Sequence, residues 1–154
     1  MSNIISTTYN KSKLGEERLM NGDEEFSILG DLIDQKILNE IIKNCKGLKY
    51  HWDCLHKSMI TQQVIGSGFV AVGKTMVLSG DFKSSYGHYY NPPYEFHSWL
   101  IYKGGVIDVA LPGLIETGLN FSDDQGPFLV NRKPVVLAGK PKKWMTYKVH
   151  DIIK

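Results

Sequence analysis

Three residues of the types used in thiol catalysis follow one another as Cys54, His97 and Asp108. Cys54 lies at the predicted start of a helix, His97 in an apolar segment typical of a strand, and Asp108 in the next such segment. A cysteine attacks as its thiolate, so a cysteine catalyst needs neighbours that lower the thiol pKa. A helix N-terminus supplies partial positive charge, and a histidine supplies a base or an imidazolium partner. The three residues therefore predict a nucleophile, a base and an acid that orients the base.

The contact between His97 and Asp108 depends on a predicted β-hairpin. The two residues lie on either side of Lys103-Gly104-Gly105, which is typical of a tight turn. Antiparallel pairing about Gly104 would place His97 opposite a position about three residues beyond Asp108. A bulge or an offset turn would make the two side chains diagonal neighbours.

Two helices are predicted ahead of the strands. Apolar residues at helical spacing predict an amphipathic helix over residues 31–45, with Asp31 or Asp34 as its cap and Cys45 in the core. A second helix is predicted from Cys54 to about Ile65. Because the helices come first and the strands follow, we expect an α+β fold with N-terminal helices packed on a mostly antiparallel sheet.

The rest of the chain is predicted to form strands and loops. The predicted strands cover residues 69–72, 75–78, 95–102, 106–110, 128–130, 134–137 and 144–149. The first two segments could also be one strand interrupted near Gly73. The loops are expected over residues 81–93 and from Gly113 to Gly126. Residues 1–25 are polar without a period, which predicts a flexible lead-in, and residues 26–154 are expected to form a single catalytic domain.

The composition is typical of a soluble globular domain, with 154 residues, 42% of them hydrophobic and 22% charged. The net charge of +2 and the lack of a long basic run argue against nucleic acid as a partner. Two cysteines are too few for the disulfide framework of a small secreted protein. The polar N-terminus predicts neither a signal peptide nor a membrane span, so we expect a cytoplasmic protein with no membrane partner.

Further residues are candidates for an oxyanion hole or for substrate binding. The backbone N–H of Cys54 is expected to be one oxyanion donor, because a helix start leaves it without a partner in the helix. The second donor is left open among side chains on either side of Cys54, namely Trp52, His51, Gln62 and Gln63. The tentative substrate-binding residues are Tyr90, in an aromatic loop that could line a cleft, and Trp99.

No metal site is expected, because His51 and His56 are not on one helical face and no second pair of ligands completes a zinc set.

Several short motifs carry a resemblance to a known group of enzymes. The stretch Cys54-Leu55-His56-Lys57-Ser58 and the later His97-Ser98-Trp99 resemble the transglutaminase-like, papain-like superfamily of cysteine enzymes. The strongest likeness is to the peptidases that remove leader segments in lasso-peptide maturation, although Ser98 stands where alanine is usual. The stretches from Gly66 to Val70 and from Ile107 to Val109 are similar to arylamine N-acetyltransferases. The resemblance covers residues 52–113.

The resemblance implies a fold, an activity and roles for the three residues. Cys54 would be the nucleophile, His97 the general base and Asp108 the orienting acid. The chain would be a hydrolase, a peptidase or amidase, that forms a thioester with a peptide or protein substrate and needs no cofactor. Acyl transfer to an amine, as in a transglutaminase, is one alternative. A non-catalytic binding or inhibitory module on the same scaffold is another, and its aromatic loop would hold the partner.

Overall fold

The computed structural model describes residues 3–6, 18–78, 84–92, 95–119, 129–130 and 133–153. Its helices are α1 (Gln35–Asn44), α2 (Cys54–Ile65) and α3 (Leu111–Leu119). Its strands are β1 (Asn3–Ser6), β2 (Ser27–Leu29), β3 (Phe69–Leu78), β4 (Ser84–His88), β5 (His97–Tyr102), β6 (Gly105–Asp108), β7 (Leu129–Val130), β8 (Lys133–Gly139) and β9 (Met145–Ile153). Helices and a sheet are thus combined in an α+β fold, as expected from the sequence.

The strands form one mixed sheet around β3. The order is β1-β4-β3-β5-β6-β8-β2, with β9 paired to β3 and β7 paired to β8. β1 is parallel to β4 and β2 is parallel to β8, whereas the other described pairs are antiparallel. His97 lies opposite Gly73 of β3, and His88 lies opposite Thr75. The two histidines therefore lie opposite positions of β3 that are two residues apart, a spacing that places their side chains on the same face of the sheet.

Both faces of the sheet are covered, because alternate residues of its strands belong to two core clusters. Leu100 and Ile107 pack in the cluster that α1 completes with Leu38, Ile41 and Ile42. The neighbouring Trp99 and Val106 pack in the cluster that α3 completes with Leu111, Leu114 and Ile115. Removing this apolar surface from water is the main favourable term that holds the helices on the sheet.

The two predicted N-terminal helices are present. Of the two predicted caps, Asp34 is the one used, because its carboxylate accepts a hydrogen bond from the Ile37 N–H at 2.8 Å. α1 therefore begins at Gln35 rather than at residue 31. Cys45 follows α1 and is fully buried, as expected. α2 begins at Cys54 and ends before Gly66, whose φ of +81° suits a residue without a Cβ.

The predicted hairpin is present, with its register offset by one residue from pairing about Gly104. β5 and β6 are joined by Lys103 and Gly104, whose φ angles of +49° and +75° are typical of a two-residue hairpin turn. Tyr102 pairs with Gly105, and the same register continues along both strands. This offset makes His97 and Asp108 diagonal neighbours on one face.

Residues 69–78 form one continuous strand, so the two predicted segments on either side of Gly73 belong together. Two other predictions about the middle of the chain need correction. The predicted loop over residues 81–93 contains β4, which pairs with β3 although its own sequence lacks an apolar alternation. The predicted loop after Gly113 begins with α3, because Leu111, Leu114 and Ile115 bury one helical face in the core. Residues 120–126 of that loop lie outside the described part of the chain.

Strands β7, β8 and β9 correspond to the three strands predicted for the C-terminal third. The region predicted as a lead-in contains β1, paired with β4, and a segment from Arg18 to Met20 that is bonded to the chain after α1. Met20 exchanges backbone hydrogen bonds with Gly47 and Leu48 and is 3% exposed. Within the described residues, no helix has the length and apolar character needed to cross a membrane.

Candidate active site

The offset hairpin brings His97 and Asp108 into direct contact. The Nε2 atom of His97 lies 2.7 Å from Oδ2 of Asp108, and both side chains are buried. Nδ1 of the same ring is also buried and forms no hydrogen bond with the residues that the structure describes. Since Nε2 is occupied by Asp108, Nδ1 is the ring atom available to a reacting group.

Asp108 is held by donors from three parts of the chain. Besides His97, the Tyr147 hydroxyl of β9 donates to Oδ2 at 2.6 Å, and the Ala110 N–H donates to Oδ1 at 2.9 Å. Burial, together with the charge and hydrogen bond of Asp108, raises the pKa of Tyr147 well above 10.0. The phenol therefore stays protonated and acts as a permanent donor. These bonds fix the direction from which the carboxylate meets His97.

Cys54 is adjacent to His97 at the start of β5. Its side chain is partly exposed, and Sγ lies 3.8 Å from the carbonyl oxygen of Phe96, the residue before His97. Burial opposes a charge on His97, but the charge and hydrogen bond of Asp108 and the neighbouring Cys54 sulfur raise the histidine pKa to about 10. His97 is therefore an imidazolium at neutral pH, which is the partner that a thiolate needs.

The start of α2 is left without a side-chain cap. Asp53 precedes the helix with a φ of +69°, a left-handed conformation that is uncommon for a residue with a Cβ. Its carboxylate turns back to accept a hydrogen bond from the Lys49 N–H at 2.8 Å and makes no bond to the helix. The N–H groups of the first turn, beginning at Cys54, consequently remain available to an anion.

His88 packs against one face of the His97 ring. The two imidazole rings are stacked with centroids 5.3 Å apart and planes 15° apart, and the Trp52 ring meets His88 edge-on at 5.9 Å. Burial, with smaller contributions from the charges of His97 and His51, lowers the pKa of His88 well below 6.5. His88 is thus a neutral ring against a charged one, and like charges do not oppose each other across the stack.

Lys57 is one turn along α2 from Cys54, and its side chain is only 1% exposed. Its ammonium donates to the Tyr50 carbonyl at 2.8 Å. Burial lowers the pKa of Lys57 against the opposing effect of nearby acidic groups, among them Cys45 and Cys54. The basic residue of the helix-start motif is therefore turned into the protein rather than toward solvent.

A cavity of about 420 Å³ opens beside Cys54. Its apolar walls are Trp52, Leu55, Met59 and Phe96, and Asp53 and His56 complete the lining. The candidate nucleophile is thus accessible from solvent through a largely apolar space.

The five tentative residues occupy different places. Trp52 lines the cavity, whereas His51 lies with Nδ1 3.1 Å from the Gly113 carbonyl oxygen. Gln62 donates to the Gly68 carbonyl at 2.9 Å, at the end of α2 remote from Cys54.

The two tentative substrate-binding residues lie elsewhere. Tyr90 stacks on His150, with ring centroids 4.3 Å apart. Trp99 is 1% exposed in the core, against His97 and Tyr147. Of the five, Trp52 alone borders both Cys54 and solvent-accessible space.

Two residues of the site were not predicted from the sequence. Tyr147 lies in a strand whose spacing carries no sign that one hydroxyl reaches Asp108, and only the pairing of β9 with β3 brings it there. His88 lies in the region predicted as an aromatic loop, and its role depends on its register against β3.

Comparison of the chain with protein-family models, with curated proteins and with solved structures gave no match. Among the residues that the structure describes, no group of three or more His, Cys, Asp or Glu side chains is arranged to hold a metal ion. The site is therefore interpreted from its own geometry.

Proposed function

We propose that this chain is a cysteine hydrolase, a peptidase or amidase, in which Cys54, His97 and Asp108 act together. The observation that carries the proposal is the imidazole of His97, which is bonded to Asp108 through Nε2 and has Cys54 as a neighbour that raises its pKa. Its buried Nδ1 has no partner at hydrogen-bond distance among the described residues. A buried imidazolium is costly unless it is paired, and here Asp108 pairs with it. The charged ring is thereby held next to Cys54, where it would stabilise an attacking thiolate.

In the first half-reaction, the Cys54 thiolate attacks the carbonyl carbon of an amide, and the C=O electron pair moves onto the oxygen. The uncapped N–H groups at the start of α2 donate to this oxyanion. The oxyanion collapses and the C–N bond breaks, while His97 transfers its proton to the leaving amine. The acyl group is then a thioester on Sγ, and His97 is neutral.

In the second half-reaction, water attacks the thioester carbon and His97 takes a proton from that water. The C–S bond breaks, the carboxylic acid leaves, and the thiolate and imidazolium are restored. Asp108 neither takes up nor releases a proton in either half-reaction, and it orients the His97 ring throughout. No cofactor takes part in either step.

The resemblance of the motifs around Cys54 and His97 to transglutaminase-like enzymes supports the same proposal. The order of a cysteine at a helix start, a histidine on a strand and an aspartate on the next strand is reproduced here by α2, β5 and β6. We assign the chain to that scaffold as part of the proposal.

Turnover of an activated ester, p-nitrophenyl acetate, tests the proposal with intact-mass detection of the acyl group. We expect acetyl-Cys54 to form and to be released by water, with more than one equivalent of nitrophenol per chain. Cys54→Ala should abolish this turnover, and His97→Gln should slow release of the acyl group by about a hundredfold or more.

Cys45→Ala is the matched control, since that thiol is fully buried and its pKa is raised to about 11 by burial. Its turnover should equal that of the unmodified chain. Retention of turnover in Cys54→Ala, or release of the acyl group no faster than from a free cysteine thioester, would contradict the proposal.

A further inference from the structure

The cavity beside Cys54 lies where a group next to the scissile bond of a substrate would sit. Cys54 itself is part of its lining, so a carbonyl carbon within reach of Sγ has its substituents at the mouth or inside. A cavity of about 420 Å³ is at the small end of the range for ligand sites. It accommodates one or two side chains rather than a folded domain surface.

The walls of the cavity are suited to an uncharged group. Trp52, Leu55 and Phe96 are half-buried, and Met59, 47% exposed, adds a flexible thioether that adapts to different shapes. No lysine or arginine is part of the lining, so a charged substrate group brought against the apolar walls would lose hydration without gaining such a partner. An apolar group that enters the cavity displaces water from all of these walls at once.

We propose that this cavity binds a bulky apolar side chain of the substrate next to the bond that is cleaved. The inference rests on the proposed function, since it takes Cys54 as the nucleophile. It narrows the substrate class to peptides or amides that carry an aromatic or large aliphatic group next to the scissile bond, held against Met59 and Leu55 on α2 and Phe96 ahead of β5.

Alkylation of Cys54 by a series of iodoacetamides measures this preference without requiring the natural substrate. The reagents are iodoacetamide, its N-benzyl derivative and its N-(4-carboxybenzyl) derivative, which has the same ring with a negative charge. Each rate on Cys54, read by mass spectrometry, is divided by the rate of the same reagent with glutathione. We expect the N-benzyl reagent to exceed iodoacetamide by about tenfold or more and the carboxybenzyl reagent to lose that advantage.

Variants of Met59 locate the preference. Met59→Glu, at an exposed helix position, should remove most of the advantage of the N-benzyl reagent, whereas the conservative Met59→Leu should retain it. Ile153→Glu, an equivalent change at a 39% exposed residue at the end of β9, serves as the control for added charge and should keep the wild-type ratio.

The outcomes separate the two claims. Fast, His97-dependent alkylation by iodoacetamide with no advantage for the N-benzyl reagent would overturn the cavity inference and leave the proposed function standing. An advantage that Met59→Glu does not reduce would also overturn it. Rates that fall for every reagent as protein concentration rises would show that a second copy of the chain covers the cavity, against the inference. Alkylation of Cys54 no faster than that of glutathione by any reagent would overturn both claims.

Discussion

At the scale of single residues, the central feature is an imidazolium held between two acidic groups. His97 is fully buried, and burial alone would keep it neutral. Asp108 on one side and Cys54 on the other reverse that preference and raise the pKa to about 10. Removing one partner of such a buried pair leaves the other uncompensated, so the three residues act as one unit.

The hydrogen bond from Tyr147 to Asp108 should stabilise the folded state. In Tyr147→Phe the ring still packs against Trp99, but the buried carboxylate loses one of its donors. We expect the free energy of unfolding to fall by about 1–3 kcal/mol, measured by urea denaturation. Tyr102→Phe is the control, because no hydrogen bond of that hydroxyl is found in the described residues, and its effect should be within about 0.5 kcal/mol. Equal effects of the two variants would show that the Tyr147 hydroxyl is not holding Asp108.

At the scale of secondary structure elements, three connections assemble the site. The two-residue turn sets the diagonal between His97 and Asp108, and the pairing of β3 with β4 places His88 on the ring of His97. The pairing of β9 with β3 delivers Tyr147. Each of these is a backbone register, so a shift of one residue would turn the side chain to the opposite face.

The elements of strong local character could be predicted from the sequence. α2 ends where glycines follow Ile65 in the sequence, and the hairpin has a glycine turn between two apolar segments. The face that α2 buries could not be predicted, because its buried residues are Lys57, Ser58 and Thr61 rather than an apolar stripe. β4 could not be predicted in this way, because its residues carry no strand pattern and their hydrogen bonds to β3 determine the conformation. α3 was obscured by Pro112 and Gly113, although Leu111, Leu114 and Ile115 have helical spacing.

The close approach of β9 to β3 at Gly73 gives a test at this scale. A Cβ at position 73 would overlap the carbonyl oxygen of Lys148, beside an irregularity in the pairing of the two strands. Gly73→Ala should therefore lower the free energy of unfolding by about 2 kcal/mol or more, measured by urea denaturation.

Gly66→Ala is the matched control for this substitution. Its added Cβ meets no atom within 4 Å, and only the left-handed φ of +81° opposes it, so the expected loss is about 1 kcal/mol. If Gly73→Ala cost no more than Gly66→Ala, the close approach of β9 to β3 at Gly73 would be contradicted.

At the scale of the whole molecule, the site is built where a helix start meets a sheet that is buried on both faces. α1 closes one core cluster and α3 closes the other, so His97 and Asp108 are removed from water while Cys54 stays open to the cavity. The three candidate residues could be proposed from their types and order. The cavity, the donor from β9 and the stacked His88 depend on long-range packing, which no local pattern contains.

Acid should destabilise the fold through His88. Its pKa is held well below 6.5 in the folded protein, mainly by burial, so the unfolded chain binds the proton more readily. The contribution of His88 to stability is complete above about pH 6.5 and decreases as the pH falls below it. The pH dependence that His97 contributes has the opposite sign, because its pKa in the folded protein is about 10. Its contribution to stability is complete below about pH 6.5 and is lost as the pH rises toward 10.

His88→Phe separates these effects because it keeps an aromatic ring but removes the titrating group. When the pH is lowered from about 7 to about 5, the urea midpoint of the unmodified chain should decrease, and that of the variant should decrease less. The comparison uses the slopes with pH, because the substitution itself changes the midpoint at every pH. Parallel slopes in the two proteins would contradict the assignment of His88 as a buried neutral histidine.

The most direct test of the central claim is the rate at which iodoacetamide labels each cysteine near neutral pH, read by mass spectrometry on the folded chain and on His97→Gln. We expect Cys54 to react faster than glutathione, Cys45 to react only after unfolding, and the rate on Cys54 to fall by about tenfold or more in the variant. Circular dichroism on both proteins checks that the fold survives the substitution. Labelling of Cys54 at the rate of a free thiol, unchanged in folded His97→Gln, would contradict the account.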